Sequence, residues 1–152
     1  MRASAVCLLL ALTGCVAATE TGRPRERRVI STDRAPAAIA SYSQAIQVGD
    51  TLYLAGQIGL DPATREMVPG GLEAETRRAI ENCRAVLEAA GYSLKDVVQV
   101  QIFLADIADY AKLNEVYATY FPEDPPARAV VAVAALPRGA RMEIVMTAVR
   151  RE

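Results

Sequence analysis

The sequence predicts an α+β domain in which two helices cover one face of a mixed sheet. Three observations carry that prediction. Strand-like and helix-like segments follow one another in the order β-ββ-α-β-α-ββ. One long segment repeats its apolar residues every three or four positions, as a helix packed on a core does. The last two strand-like segments are largely apolar on both of their sides. The chain has 152 residues, 52% of them hydrophobic and 23% charged, which suits one core and not two.

Residues 28–31 are short and β-like, and residues 32–41 form an Ala/Pro loop. Residues 43–48 and 51–55 are two strands around Gly49-Asp50, a dipeptide suited to a hairpin turn. Residues 56–71 form a loop with a turn at Asp61-Pro62-Ala63-Thr64. Residues 72–90 form a helix with the stripe Thr76, Ala79, Ile80, Cys83, Val86, Leu87 and Ala90. Gly91 supplies the left-handed residue at its end. Cys83 lies inside the stripe and is read as core filling, not as a nucleophile.

Asp96 leads into residues 97–104, whose nearly continuous apolar run predicts a buried strand. Asp109 is expected to cap a second helix that runs to Tyr120 and is ended by Pro122. Residues 128–135 and 141–149 are the last two strands. In the final strand Glu143, Val145, Thr147 and Val149 share one side, and Met142, Ile144, Met146 and Ala148 the other. Two helices cover only one sheet face, so the other calls for a second chain. If the last two strands pair as a hairpin centred near Arg138, Glu143 lies near Val133. Arg128 is then about five residues further along, on the order of 17 Å at ~3.3 Å per residue. One small molecule could touch both only across a subunit interface.

The N-terminus reads as an export signal. Arg2 is the positive start, Ala5 to Leu12 the apolar stretch, and Leu12-Thr13-Gly14-Cys15 the small-residue cleavage region. The apolar stretch is too short for the roughly 20 residues of a membrane span. The expected organisation is a signal peptide over 1–14, a polar tether over 15–28 and one domain over 29–150. Arg23, Arg25, Arg27 and Arg28 make the tether basic, which reads first as solvated linker and second as a contact for anionic head groups.

Composition excludes several chemistries. The sequence holds no histidine, so Ser-His-Asp and Cys-His catalysis, HExxH zinc sites and imidazole proton shuttles are ruled out. A formal net charge of −1 gives no electrostatic footprint for nucleic acid. Three cysteines stand in unrelated settings, and once the signal is cleaved Cys83 has no partner for an intramolecular disulfide.

Four ordered motifs then carry a resemblance. They are Ala35-Pro36-Ala37-Ala38-Ile39-Ala40-Ser41-Tyr42-Ser43-Gln44-Ala45; Ala55-Gly56-Gln57-Ile58 with Leu60-Asp61-Pro62; Asn82 with Ala85-Val86-Leu87-Glu88-Ala89-Ala90-Gly91; and Pro126-Ala127-Arg128 with Val131, Val133, Leu136-Pro137 and Glu143-Ile144. Over Val29 to Arg150 the chain resembles the RidA/YjgF family of enamine/imine deaminases. Leu12 to Cys15 likewise resembles the bacterial lipobox, in which the cysteine is lipidated.

The family resemblance implies a chorismate-mutase-like fold, a homotrimer with sites at the subunit interfaces, and hydrolysis of 2-enamino and 2-imino acids to 2-keto acids without cofactor or metal. It implies that Arg128 binds the substrate carboxylate and Glu143 positions or activates the attacking water. Tyr42 and Asn114 would line the pocket, and the backbone of Val130 would meet the substrate where many members have a cysteine. Ala40-Ser41 replaces the usual Gly-Pro, and Gly59 a usual proline. The lipobox resemblance implies lipidation at Cys15 and an exported protein on the cell envelope, in the outer membrane if one is present. The alternative reading is a non-catalytic envelope module that binds small carboxylates or partner proteins on the same trimeric scaffold.

Overall fold

Gly49 sits at φ 57° in the two-residue turn and lets the chain reverse between strands β2 (Ala45–Val48) and β3 (Thr51–Leu54). The computed structural model describes residues 26–150, and the expected signal peptide, the lipobox Leu12-Thr13-Gly14-Cys15 and the tether as far as residue 25 lie outside them. Arg27 and Arg28, expected in the tether, belong to strand β1 (Arg27–Ile30), antiparallel to β2. The long helix α1 (Gly71–Ala89) follows the loop at 56–70, and every residue of its predicted stripe is buried. Gly91 follows with φ 78°. The chain continues through β4 (Val97–Leu104), α2 (Tyr110–Ala118), β5 (Ala127–Ala132) and β6 (Met142–Val149).

These strands form one six-stranded mixed sheet in the order β1-β2-β3-β6-β4-β5. β4 and β5 are parallel and joined through α2, while β6 runs antiparallel to both β3 and β4. Both helices lie on one face. Met142, Ile144, Met146 and Ala148 of β6 point under them, with Val100, Ile102 and Leu104 of β4, and all are buried. The opposite face is open. It carries Val29, Tyr53 and Val131, each about half exposed, beside Phe103, Val145 and Thr147. These apolar residues share the face with Gln99, Gln101 and Glu143, and their exposure agrees with the expected need for a second chain. No helix among the described residues is long and apolar enough to cross a membrane.

Five expectations are corrected. The last two strands are not a hairpin, because β6 inserts between β3 and β4 and β5 pairs with β4 alone. Arg138 at φ 58° turns the 3-10 segment Pro137–Gly139 that carries the chain from one strand to the other. Asp109 stands before α2 but makes no side-chain cap; its carboxylate is taken by Arg141 Nε and Nη2 at 3.1 and 2.8 Å. Asp106 does the capping instead, accepting from the Ala108 N–H at 2.9 Å in the 3-10 turn before the helix. α2 ends at Ala118, short of Tyr120, and β5 ends at Ala132, short of Ala135. The strand at 97–104 is buried on the helix side only, since Gln99 and Gln101 face outward on the open side.

Candidate active site

Two loops and the end of β6 enclose a cavity of about 320 Å³. Each loop is pinned by one buried amide side chain. Gln44, 3% exposed, donates from Nε2 to the carbonyls of Thr32, Ala35 and Pro36 and accepts from the Thr32 N–H at 2.6 Å. That fixes the segment carrying Ile39 and Tyr42. Asn82, on the buried side of α1, donates to the carbonyls of Ile58 and Leu60 at 3.3 and 2.9 Å. Gln57 then exchanges backbone hydrogen bonds with Ile144, both 2.9 Å, which lays Gly56 directly against Glu143.

Glu143 projects into this cavity, which Tyr42, Ile39, Ile58, Leu60, Pro137 and Arg138 also line. Burial pushes the Glu143 carboxyl above its ordinary range, and among the described residues no charge or donor offsets that push. A cavity with a half-buried, unpaired carboxylate at its base is a place to hold a water molecule and exchange a proton with it. Tyr42 is half exposed at the rim, and its hydroxyl accepts from the Ile39 N–H at 3.5 Å.

Arg128 is found elsewhere, on the helix face of β5. Its Nη2 donates to Asn114 Oδ1 at 2.7 Å. Its guanidinium lies 4.4 Å from the Tyr117 ring centroid and 5.9 Å from that of Tyr110. Val130 is half-buried on the same side of the strand. The Val133 N–H bonds to Leu104 O at 2.9 Å, so by the alternation of a parallel ladder residues 129 and 131 also face β4. The N–H and C=O of Val130 therefore point off the free edge of the sheet, beside the Arg128 side chain.

The predicted residues thus fall into two clusters within one chain: Tyr42 with Glu143, and Arg128 with Asn114 and Val130. Phe103 of β4 is level with both Glu143 and Val131, which places Arg128 two strands across and three residues along. At ~4.8 Å per strand and ~3.3 Å per residue their backbones are roughly 14 Å apart, and their side chains leave opposite faces. The hairpin behind the ~17 Å expectation is absent, yet the separation stands.

Gly56, Arg138, Tyr110 and Tyr117 were not singled out as site residues in the sequence. Gly56 lies within a quoted motif, and α2 spaces Tyr110, Asn114 and Tyr117 at i, i+4 and i+7, one face of a helix. Arg138 gave no such signal; it lines the cavity, and its Nη2 donates to Arg65 O at 3.1 Å. The departure at Gly59 has a physical reason: a Cβ there would stand 2.6 Å from Glu75 Cα of α1, so the loop approaches the helix as only glycine allows. At Ala40-Ser41 the Tyr42 N–H donates to Ala40 O at 2.8 Å, a tight three-residue turn. Among the described residues no three His, Cys, Asp or Glu side chains converge as a metal site would require.

Comparison with known proteins places this geometry among relatives. The family model described as Endoribonuclease L-PSP matches residues 32–150. A mouse 2-iminobutanoate/2-iminopropanoate deaminase is 51% identical over 124 residues, 82% of this chain and 92% of the relative. The crystal structure of RidA from the Antarctic bacterium Psychrobacter sp. superposes with a TM-score of 0.79 at 47% identity, covering 81% of this chain and 99% of that one. E. coli TdcF, solved with bound serine, gives a TM-score of 0.78 at 37% identity, covering 82% and 99%.

Proposed function

We propose, from the premise that the chain belongs to the Endoribonuclease L-PSP or RidA/YjgF family, that it is a hydrolytic deaminase of reactive 2-enamino and 2-imino acids. The observation that carries this reading is the Glu143 carboxyl, raised by burial and laid against Gly56 at the base of a small cavity. A 2-aminoacrylate-type enamine takes a proton at its terminal carbon and becomes the imine. Water attacks the carbon of this protonated imine as Glu143 accepts one of its protons and returns it to the nitrogen; the C–N bond then breaks, ammonia leaves, and the hydroxyl gives its proton to Glu143 as the C=O of the 2-keto acid forms. A raised carboxyl pKa suits a group that must both take and return a proton. Arg128 holds the substrate carboxylate through its planar fork, the Val130 backbone meets the substrate at the sheet edge, and Tyr42 and Asn114 line the site. No step in this sequence calls for a cofactor or a metal.

The two clusters join in a homotrimer, with Arg128 of one protomer facing Glu143 of the next. The open apolar sheet face and the free edge of β5 support association, and the family resemblance supplies the number three. The protein is exported and lipid-anchored at Cys15 in the cell envelope, a reading supported by Arg2, the apolar stretch and Leu12-Thr13-Gly14-Cys15. Cleavage of RNA, which the family's description suggests, is disfavoured by a sequence with no histidine and a net charge of −1.

The test is hydrolysis of enzymatically generated 2-iminopropanoate by the purified domain, with light scattering for its assembly. Ammonia release in proportion to a trimeric protein supports the proposal. A stable, active monomer at micromolar concentration refutes the shared site. An inactive trimer that still binds 2-keto acids through Arg128 is a carboxylate-binding envelope module instead.

A further inference from the structure

We propose that Tyr117 is a positioning residue whose ring face fixes the Arg128 guanidinium without neutralising it. The inference rests on the reading of Arg128 as the carboxylate anchor. Arg128 sits at the start of an edge strand, and among the described residues no carboxylate lies within ion-pair distance of it. A long cationic side chain with no partner would sample many rotamers and would have to be ordered each time substrate arrived. An aspartate or glutamate would hold it still, but would also satisfy the charge that the substrate must find.

α2 solves this with neutral groups. The Tyr117 ring centroid is 4.4 Å from the guanidinium carbon, well inside cation–π range, and the Asn114 amide oxygen accepts one Nη2 hydrogen at 2.7 Å. Tyr117 is itself packed on its far side. It is 6% exposed and stacks on Phe121 with centroids 4.7 Å apart. Its hydroxyl is buried with no hydrogen-bond partner among the described residues, so the ring face is what the position supplies. Burial pushes the phenol up to about 12, the Arg128 charge pulling slightly the other way, so the ring beside Arg128 stays neutral at working pH. With one of five N–H groups spent on Asn114, the guanidinium keeps a pair for a bidentate carboxylate.

The experiment replaces residue 117 with phenylalanine and then with phenylalanines of increasing ring fluorination. These keep shape and packing while draining the ring face of negative potential. The readouts are the calorimetric Kd of 2-ketobutanoate, and KM and kcat for 2-iminopropanoate. With Tyr117→Phe as the reference of the series, Kd and KM should rise stepwise with fluorination, to about tenfold for the fully fluorinated ring, while kcat stays within about twofold. A flat series, or a fall in kcat and thermal stability with Kd unchanged, makes Tyr117 a packing residue and overturns the proposal. Arg128→Ala serves as the control. If it leaves Kd and KM unchanged, the anchor reading itself fails; if it raises both while the series is flat, only the role of Tyr117 falls.

Discussion

Gly56 is not among the glycines with positive φ, so alanine suits its backbone, and the nearest atoms in the way belong to the Glu143 side chain. The added Cβ would overlap Glu143 Oε1, with Cδ at 2.8 Å and Cγ at 3.1 Å. Because the obstacle is the mobile end of one side chain, Gly56→Ala should fold. Glu143 then swings about its χ angles at a cost of about 1 kcal/mol in stability. Catalysis is less forgiving: a carboxylate displaced by ~1 Å costs on the order of a hundredfold in kcat, equivalent to ~2.7 kcal/mol of barrier. KM should change little, since Arg128 is untouched. The assay is the pH dependence of ammonia release from 2-iminopropanoate. Burial holds the wild-type carboxyl above the ordinary 4.5, so the acid limb of the wild-type profile should lie above that value. In Gly56→Ala the better hydrated carboxylate should move the limb to lower pH. A variant with kcat within about threefold of wild type and an unmoved limb would refute the assignment of Glu143 to the water.

Four further outcomes are expected. Arg128→Ala should lose roughly 3 kcal/mol of charge-assisted binding, about a hundredfold in kcat/KM, with the assembly intact by light scattering, and Arg128→Lys should recover only part of it. Glu143→Gln should lower kcat yet raise the melting temperature at neutral pH. The folded carboxyl is harder to ionise than the unfolded one, so wild-type stability is lost as pH rises through the folded pKa; the gain should vanish in calorimetry below the ordinary 4.5. Gln44→Leu strands the Thr32 N–H and three carbonyls, and should lower stability in denaturant by roughly 2–4 kcal/mol. Mass spectrometry of the native protein should find a lipid-modified cysteine at position 15, and an unlipidated chain beginning elsewhere would end that reading.

Local patterning made most elements legible and left their neighbours unread. The period of Thr76 to Ala90 gave α1 its buried stripe, and the apolar run placed β4 at its observed limits. Alternation also sorted Glu143 from Met142 and Ile144 correctly, because a strand's two faces are fixed by its own pleat. Pairing is a different kind of information. Nothing in residues 127–149 says that β5 turns parallel to β4, or that β6 inserts on the other side of β4; the strand-helix-strand order of β4, α2 and β5 was the available signal. Asp109 shows the same limit on a smaller scale. Its residue type favours a cap, but Arg141, 32 residues on, competes for the carboxylate and wins through a two-toothed, charge-assisted contact. The residues of both candidate clusters were legible, while the contact of Tyr110 and Tyr117 with Arg128 became visible only once α2 lay beside β5.

β6 occupies an interior place in the sheet and follows its five other described strands in the chain. Until Met142–Val149 has left the ribosome, β1–β3 and β4–β5 are two ribbons with no shared edge, and the residues under α1 lack the row formed by Met142, Ile144, Met146 and Ala148. A nascent chain therefore cannot lock early; its core closes in one late event built on contacts distant in sequence, which is the slow kind of closure. For as long as those eight residues are missing, the polypeptide remains in a form that can still be threaded, held or handed on.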